Sequence, residues 1–305
     1  MTERDGNGWV SCSLGHQHWG RYGAAGLLVS APDRSGQIVI LLQRRAGWTA
    51  CGGTWGTPGG ARDSHEPAAA AALREAAEEC GLPPEAVRIT GMRIDDHGGW
   101  SYRTLLARAE FPCPVHAASP ETAEAVWIPV GDVGGLGLHP GFAGQWPVIR
   151  EALAPISVIV DGANVMGARA DGWWRDRAAA AARLHSEISA LSARGVGALP
   201  EGAALAGLDW WFPEFTLVIE GAARAAAGRL AASGADVRVV AAGGSGDDSI
   251  AALAGQLPGR RLVVTADREL RRRCTAQGAS VTGPRWLLGL LRRPVPDASA
   301  DQATA

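Results

Sequence analysis

Residues 60–82 read GARDSHEPAAAAALREAAEECGL, and they place charged groups at spacings that a merely solvated helix does not need. Gly60 is followed by Glu66, then by the pair Arg74 and Glu75, then by Glu78 and Glu79, with Gly81 and Leu82 closing the run. Residues 67–80 are rich in Ala, Leu, Arg and Glu and favour a helix, which Gly81, Pro83 and Pro84 should stop. On that helix Glu75, Glu78 and Glu79 fall at i, i+3 and i+4, hence on one face. Three carboxylates repel one another there with only Arg74 close by, so a bound divalent cation is the natural neutraliser, and oxygen donors in that number suit Mg2+ or Mn2+. Gly59 and Gly60 let the backbone come close, so the Gly60 carbonyl or a phosphate can join the same shell. An acidic surface helix capped by Gly81 is the plainer reading of these residues.

The full pattern, G-x5-E-x7-R-E-U-x-E-E-x-G-U with U aliphatic, resembles the Nudix box, the signature of the Nudix hydrolases. Ala76 stands where that family usually carries a bulky aliphatic, a packing variation that disturbs no charged position. The resemblance extends upstream to LLQRR (residues 41–45) and to WGTPGG (residues 55–60). It implies an α/β/α sandwich with a mixed sheet, Mg2+ or Mn2+ as cofactor, and hydrolysis of a nucleoside diphosphate-linked small molecule. Glu75, Glu78 and Glu79 would be the catalytic metal ligands with Gly60 beside them, and Arg74 would orient a glutamate rather than touch substrate. Nudix hydrolases often add a downstream acid as ligand or base; Glu121 is the candidate, Glu124 its rival, and a surface glutamate the open alternative for either.

At 305 residues the chain is long enough for two domains, each with its own core. Up to Pro155 there are 12 arginines against 16 acids, and beyond it 17 against 15, so the second part is mildly the better suited to a polyanion. No lysine occurs, which excludes Schiff-base chemistry and a Walker P-loop. The five cysteines are odd in number and form no CxxC pair, which argues against a disulfide framework or a zinc ribbon and fits a reducing cytoplasm. The polar start MTERDGNGWV has no signal-peptide core, and no apolar run approaches membrane-spanning length. Residues 1–20 have no clear period. His16 and His18, without an acidic or cysteine partner, read as ordinary loop residues.

Downstream, AAGLLVSA and IVILLQRR flank the turn-rich PDRSGQ and predict two paired strands. After the helix, AVRITGMRI, WSYRTLLARAE and AVWIPV predict three more strands, and GFAGQWPVIREAL a packing helix. Pro155 marks the expected boundary, giving domains over 1–154 and 155–293, with a disordered tail over 294–305.

The second part opens with ISVIV, a β-branched run suited to a strand buried on both faces, and ends it in Asp161. TLVIE ends in Glu220, VRVVAAGGSG runs into Asp247 and Asp248, and RLVVTA ends in Asp267, with helical patterns near 175–193, 222–233, 248–256, 268–277 and 285–292. Such alternation predicts a doubly wound parallel sheet, whose ligands lie beyond the carboxyl ends of the strands. Each acid alone has a dull reading, as a turn residue or helix N-cap. The segments VDGANVMG, GDDSIAAL and VVTADREL resemble the NYN family of PIN-like ribonucleases. That resemblance implies a metal-dependent RNA nuclease, with Asp161, Asn164, Asp248 and Asp267 carried over and Asp247 and Glu220 less securely. Metal would lie on Asp161, Asp247, Asp248 and Asp267, with RNA as a candidate partner of the arginines at 260–285. The alternative is that one half has lost catalysis and serves as a nucleotide- or RNA-binding module.

Overall fold

The computed structural model describes residues 4–200, 202–203 and 207–292. The expected tail over 294–305 lies outside the described residues. The chain divides between Leu153 and Ala154 into two compact units, with Gly207, Leu208 and Asp209 grouping with the first. No helix among the described residues is long and apolar enough to cross a membrane.

The first unit begins with a small antiparallel hairpin of β1 (Trp9–Ser11) and β2 (Gln17–Trp19). Its main sheet runs β7 (Arg88–Asp96), β8 (Ser101–Arg108), β3 (Ala24–Pro32), β4 (Ile38–Arg45) and β5 (Trp55–Gly56). Two more strands join it, β6 (Gly59–Ala61) on β3 and β9 (Thr122–Pro129) on β4. The sheet is mixed, because β3 and β8 are parallel while the other pairings are antiparallel. Along one edge, β3 pairs with β6 at Ala24–Gly26 and with β4 only from Ser30 onward. The two partners splay apart between those points, and α1 (Ala68–Cys80) follows from β6.

Period-2 alternation turns Ala25, Leu27, Val29 and Ala31 of β3 toward α1, where they meet Ala68, Ala71, Ala72 and Ala76. Alanines on that helical face leave no side-chain bulk between helix and sheet, and Ala76 is fully buried. This is the packing consequence of the one unusual position in the box. The helix ends where Gly81 takes a left-handed conformation (φ 67°) and donates to Ala77 O at 3.0 Å. On the other face, α2 (Pro140–Ile149) buries Phe142, Trp146 and Ile149 and ties to β8 where Thr104 Oγ1 donates to Gln145 Oε1 at 3.1 Å.

The second unit holds a five-stranded sheet in the order β13 (Val237–Ala241), β12 (Glu214–Ile219), β10 (Ile156–Asp161), β14 (Arg260–Val264) and β15 (Ser280–Thr282), with every neighbour parallel. All six residues of β10 are buried, as a central strand covered on both faces requires. The chain grows from β10 to one side and then to the other, so the order reverses between β10 and β14. A short α3 (Gly162–Gly167) and the long α4 (Arg177–Arg194) follow β10, and β11 (Trp210–Trp211) precedes β12. The single helix expected over 222–233 is a 3-10 turn over Gly221–Ala226 followed by α5 (Ala227–Ala231). Helices α6 (Gly246–Gln256) and α7 (Arg268–Ala276) close one face through Ile250, Leu253, Leu270 and Cys274, and α8 (Pro284–Leu291) ends the unit.

Candidate active site

In the first unit, α1 carries its carboxylates to the gap where β4 and β6 diverge from β3. Glu79 is 7% exposed, and its Oε2 accepts from Gln43 Nε2 and from the Gly59 amide, both at 2.7 Å. Gln43 is itself fixed, since its Oε1 accepts from Thr122 Oγ1 at 2.6 Å. These donors are neutral. Burial, and then the neighbouring Glu75 charge, outweigh them and push the Glu79 carboxyl up to about 8. Glu75 is raised for the same first reason, burial, against the opposing effect of Arg74. Gly60 lies against this group so closely that a Cβ there would stand 2.7 Å from Glu75 Cδ, and glycine is the residue that fits.

Arg74 holds the acids in place. Its Nε and Nη2 each reach Glu66 at 2.8 Å, Nη2 also reaches the Ala61 carbonyl at 3.1 Å, and Nη1 meets Glu75 Oε1 at 2.5 Å and Glu78 Oε2 at 3.4 Å. Burial works against the Glu66 carboxylate, but its two bonds to Arg74 win and lower its pKa. Glu78 is the most open of the three box glutamates and is also paired with Arg4. The donor set fits a hard divalent cation. Glu75 lies against the Gly60 backbone, Arg74 links it to Glu78, and Glu79, the most buried of the three, has no full positive charge hydrogen-bonded to it.

Glu121 does not join this group; it is exposed and contributes only its carbonyl, which accepts from Ala46 N at 2.8 Å. Glu124 pairs with Arg44 at 3.2 Å. Arg44 neighbours Gln43 along β4, so by strand alternation this pair lies on the sheet face away from Glu79. Three contributors were not picked out from the sequence: Gln43, Thr122 and Tyr102. Gln43 had a visible signal, a polar residue closing the apolar run IVILL. Tyr102 is half-buried with its hydroxyl beside Gly26 and Gly59, and desolvation there pushes its phenol up to about 12.

In the second unit, the strand ends bring several acids together at the reversal between β10 and β14. Asp161 is 7% exposed; its Oδ1 accepts from Asn164 N at 3.0 Å and its Oδ2 from Thr265 Oγ1 at 2.8 Å. Asn164 Oδ1 accepts from the Ala266 amide at 2.9 Å, and Asp267 N donates to Thr265 Oγ1 at 3.1 Å. Burial first, and then Asp247 and Glu220, raise the Asp161 pKa. Burial first, and then Asp267 and Glu220, raise that of Asp247. Asp267 is also the N-cap of α7, accepting from Leu270 N at 2.7 Å, so its dull reading holds for one oxygen. Glu220 Oε2 accepts from Gly246 N at 2.7 Å.

Asp248 was expected to carry over with Asp161, Asn164 and Asp267, and Asp247 less securely; the placement of the two aspartates runs the other way. The Asp248 carboxylate turns out to Arg273 at 2.7 Å and its side chain is 72% exposed, whereas Asp247 faces the other acids. Consecutive helical residues point about 100° apart, so one of the two aspartates must turn away. The arginine cluster is also partly engaged within the chain. Arg261 donates to the Leu257, Gln277 and Gly278 carbonyls, and Arg272 pairs with Glu269 at 2.7 Å. Thr265, fully buried at the end of VVT, was not identified from the sequence.

The α/β unit with a glutamate-rich helix set against a mixed sheet defines a class, and sequence relatives agree with it. The profile of the NUDIX domain matches residues 21–152. The putative 8-oxo-dGTP diphosphatase 3 of Mycobacterium tuberculosis is 44% identical over 158 residues, covering 50% of this chain and 72% of that protein. The chain belongs to the Nudix family. A nucleoside triphosphate pyrophosphatase/Nudix hydrolase fusion protein of Bifidobacterium longum is 40% identical over 153 residues, covering 48% of this chain and 31% of that protein. The crystal structure of the Nudix hydrolase RenU from M. smegmatis matches at 44% identity and a TM-score of 0.46, covering 48% of this chain and 94% of that one.

Proposed function

We propose that the first unit hydrolyses a pyrophosphate bond in a nucleoside diphosphate-linked substrate, with Mg2+ or Mn2+ held by Glu75, Glu78 and Glu79 beside the Gly60 carbonyl. The observation that carries this reading is Glu79, a buried carboxylate whose hydrogen-bond donors, Gln43 and Gly59, are both neutral. Such a group is costly in its ionised form until a cation joins it. A divalent ion there would offset charge on the bridging phosphates and lower the pKa of an attacking water. The residues of the chain fix the geometry for this. Arg74 bridges Glu66 and Glu75, Gln43 and Gly59 hold one Glu79 oxygen, and the other oxygen would be available to a cation. A carboxylate oxygen of these glutamates that the metal does not engage would accept the proton of the attacking water.

The name of the mycobacterial relative makes oxidised purine nucleoside triphosphates the first substrates to try. The purified full chain should be screened with Mg2+ against 8-oxo-dGTP, ordinary nucleoside triphosphates, ADP-ribose, dinucleoside polyphosphates and capped RNA, with products separated by ion-exchange chromatography. Turnover of at least one, abolished by EDTA, is expected. Turnover of none, or turnover indifferent to EDTA, overturns the reading.

A second reading concerns the second unit, and its support is that Asp161 and Asp247 both have raised pKa values, through burial first and then through neighbouring acids that include Glu220 for both and Asp267 for Asp247. We infer a NYN/PIN-like, metal-dependent RNA nuclease in which Asp161, Asp247 and Asp267 would hold the metal and Asn164 and Thr265 would fix the Asp161 carboxylate. The test is cleavage of single-stranded RNA by the full chain with Mn2+, carried out on a Glu79→Gln background so that the first unit does not contribute. RNA that binds without being cut would leave a binding module in place of the nuclease.

A further inference from the structure

Cys12, His16, His18 and His97 lie outside the carboxylate site, and their candidate ligand atoms all fall within 4.8 Å of one another. We propose that these four side chains form a structural Zn2+ site that clamps the N-terminal hairpin to the turn between β7 and β8.

The local sequence explains how the cluster arises. In the hairpin, Val10 pairs directly with His18, and Cys12 N donates to His16 O at 3.0 Å across the loop. Alternation then places Cys12, His16 and His18 on one side of the hairpin. His97 arrives from the β7–β8 turn, which docks on the same loop because Ser13 N donates to the Gly98 carbonyl at 2.8 Å. Trp100 supports it from below. Its ring stacks on His18 at 3.9 Å and 9°, and its Nε1 donates to the Gly20 carbonyl at 3.0 Å.

Two observations distinguish a ligand set from aromatic packing. First, His18 Nε2 and His97 Nδ1 are buried ring nitrogens without a hydrogen-bond partner. A polar atom in that condition costs free energy unless something else satisfies it. Both belong to rings that meet edge to face at 4.7 Å, so neither ring hydrogen-bonds the other. Second, the opposite nitrogen of His97, Nε2, stands 3.5 Å from Asp95 Oδ2. A carboxylate on the Nε2 side would favour the tautomer that carries its proton there and leave Nδ1 as the lone-pair donor, the arrangement that supports a metal-bound histidine when the two close to hydrogen-bond distance.

One thiolate and three imidazoles, with no fifth donor in the cluster among the described residues, suit tetrahedral Zn2+. Bond lengths of about 2.0–2.3 Å put tetrahedral ligand atoms roughly 3.3–3.8 Å apart, so the cluster needs only a modest inward rotation. His16 is exposed and free to swing. With four protein ligands the site is closed to substrate, which makes its role structural. The spacing C-x3-H-x-H with a distant fourth histidine differs from paired CxxC ribbons, so it escapes a search for those.

The experiment is metal analysis of the full chain, expressed with added zinc, purified without a polyhistidine tag under reducing conditions and passed over a desalting column. About one zinc per chain is expected, and Co2+ added to the stripped protein should give tetrahedral visible bands with a thiolate charge-transfer band in the near ultraviolet. Both signals should vanish in Cys12→Ser/His97→Ala and persist in Glu79→Gln, which separates this site from the carboxylate site. Should the double variant fold poorly by circular dichroism, His16→Ala, altered only at an exposed side chain, should weaken zinc affinity more than about tenfold in a chromophoric chelator competition. Wild-type protein that neither carries zinc nor gives the cobalt spectrum overturns the proposal, as does zinc affinity unchanged by these substitutions.

Discussion

Replacing Glu79 by Gln tests whether its carboxylate is held in place for a cation. The present Oε2 accepts from two donors, Gln43 Nε2 and Gly59 N. A glutamine amide oxygen can take both, leaving its NH2 where the second carboxylate oxygen now faces. The shape of the site survives and one anionic ligand is lost. Metal-dependent transition-state stabilisation amounts to several kcal/mol, so kcat/KM should fall by at least about a hundredfold. Stability should move the other way in the absence of metal. A carboxyl raised from 4.5 to about 8 favours the folded state while protonated, so its contribution is full below the unfolded value and is lost as pH rises through about 8. At pH 8 the loss relative to the acid side is on the order of 4 kcal/mol as an upper bound. In EDTA the wild type should therefore melt at progressively lower temperature from pH 5 to pH 8, less steeply with saturating Mg2+, and Glu79→Gln should show a flatter profile. The assays are pyrophosphate or phosphate release for activity and differential scanning calorimetry for stability. Activity of the variant within about threefold of wild type, or an EDTA melting profile as steep as that of wild type, would refute the reasoning.

Arg74→Ala strips Glu66 of both its guanidinium bonds and Glu75 of its partner, all among half-buried side chains; a loss of about 2–4 kcal/mol in urea unfolding is expected, together with reduced activity. Ala76→Leu puts a larger side chain into the fully buried contact between α1 and the sheet, and should cost about 1–3 kcal/mol by thermal melting although the Nudix box commonly carries a large aliphatic there. In the second unit, Asp247→Asn should suppress Mn2+-dependent RNA cleavage far more than Asp248→Asn, because Asp248 is committed to Arg273; equal effects on cleavage would remove the distinction.

What was legible in the sequence follows from how local its cause is. The helix over 68–80 was readable because its propensity, its stop at Gly81 and the one-sided glutamates are all set within a few turns. Long apolar runs announced β3, β4 and β10 in the same way. The hairpin of β1 and β2 was not visible. Its strands are three residues each, and an edge contact between Trp9 and Trp19 at 5.6 Å takes the place of an apolar face. The three-residue β15 lacked a signal for the same reason, and the break at Ala226 lies within an alanine-rich stretch whose helix propensity is uniform.

The site residues divide along the same line, and the division concerns what each polar atom already holds. Glu75, Glu78 and Glu79 could be grouped from spacing alone, but spacing did not say that Arg74 would take up Glu66 and Glu75 while Glu79 received only neutral donors. Asp247 and Asp248 were indistinguishable as neighbours in the sequence; the fold separates them by giving one an arginine and the other a set of acids. His16 and His18 read as loop residues because a sequence window holds neither the approach of Asp95 to His97 nor that of His97 to Cys12. For the histidines the chemistry turns on ring nitrogens left without a partner, and for Glu79 on donors that carry no charge. A buried carboxylate or ring nitrogen in that condition is the physical reason to expect a cation, and such an atom can be recognised only when all of its neighbours are known.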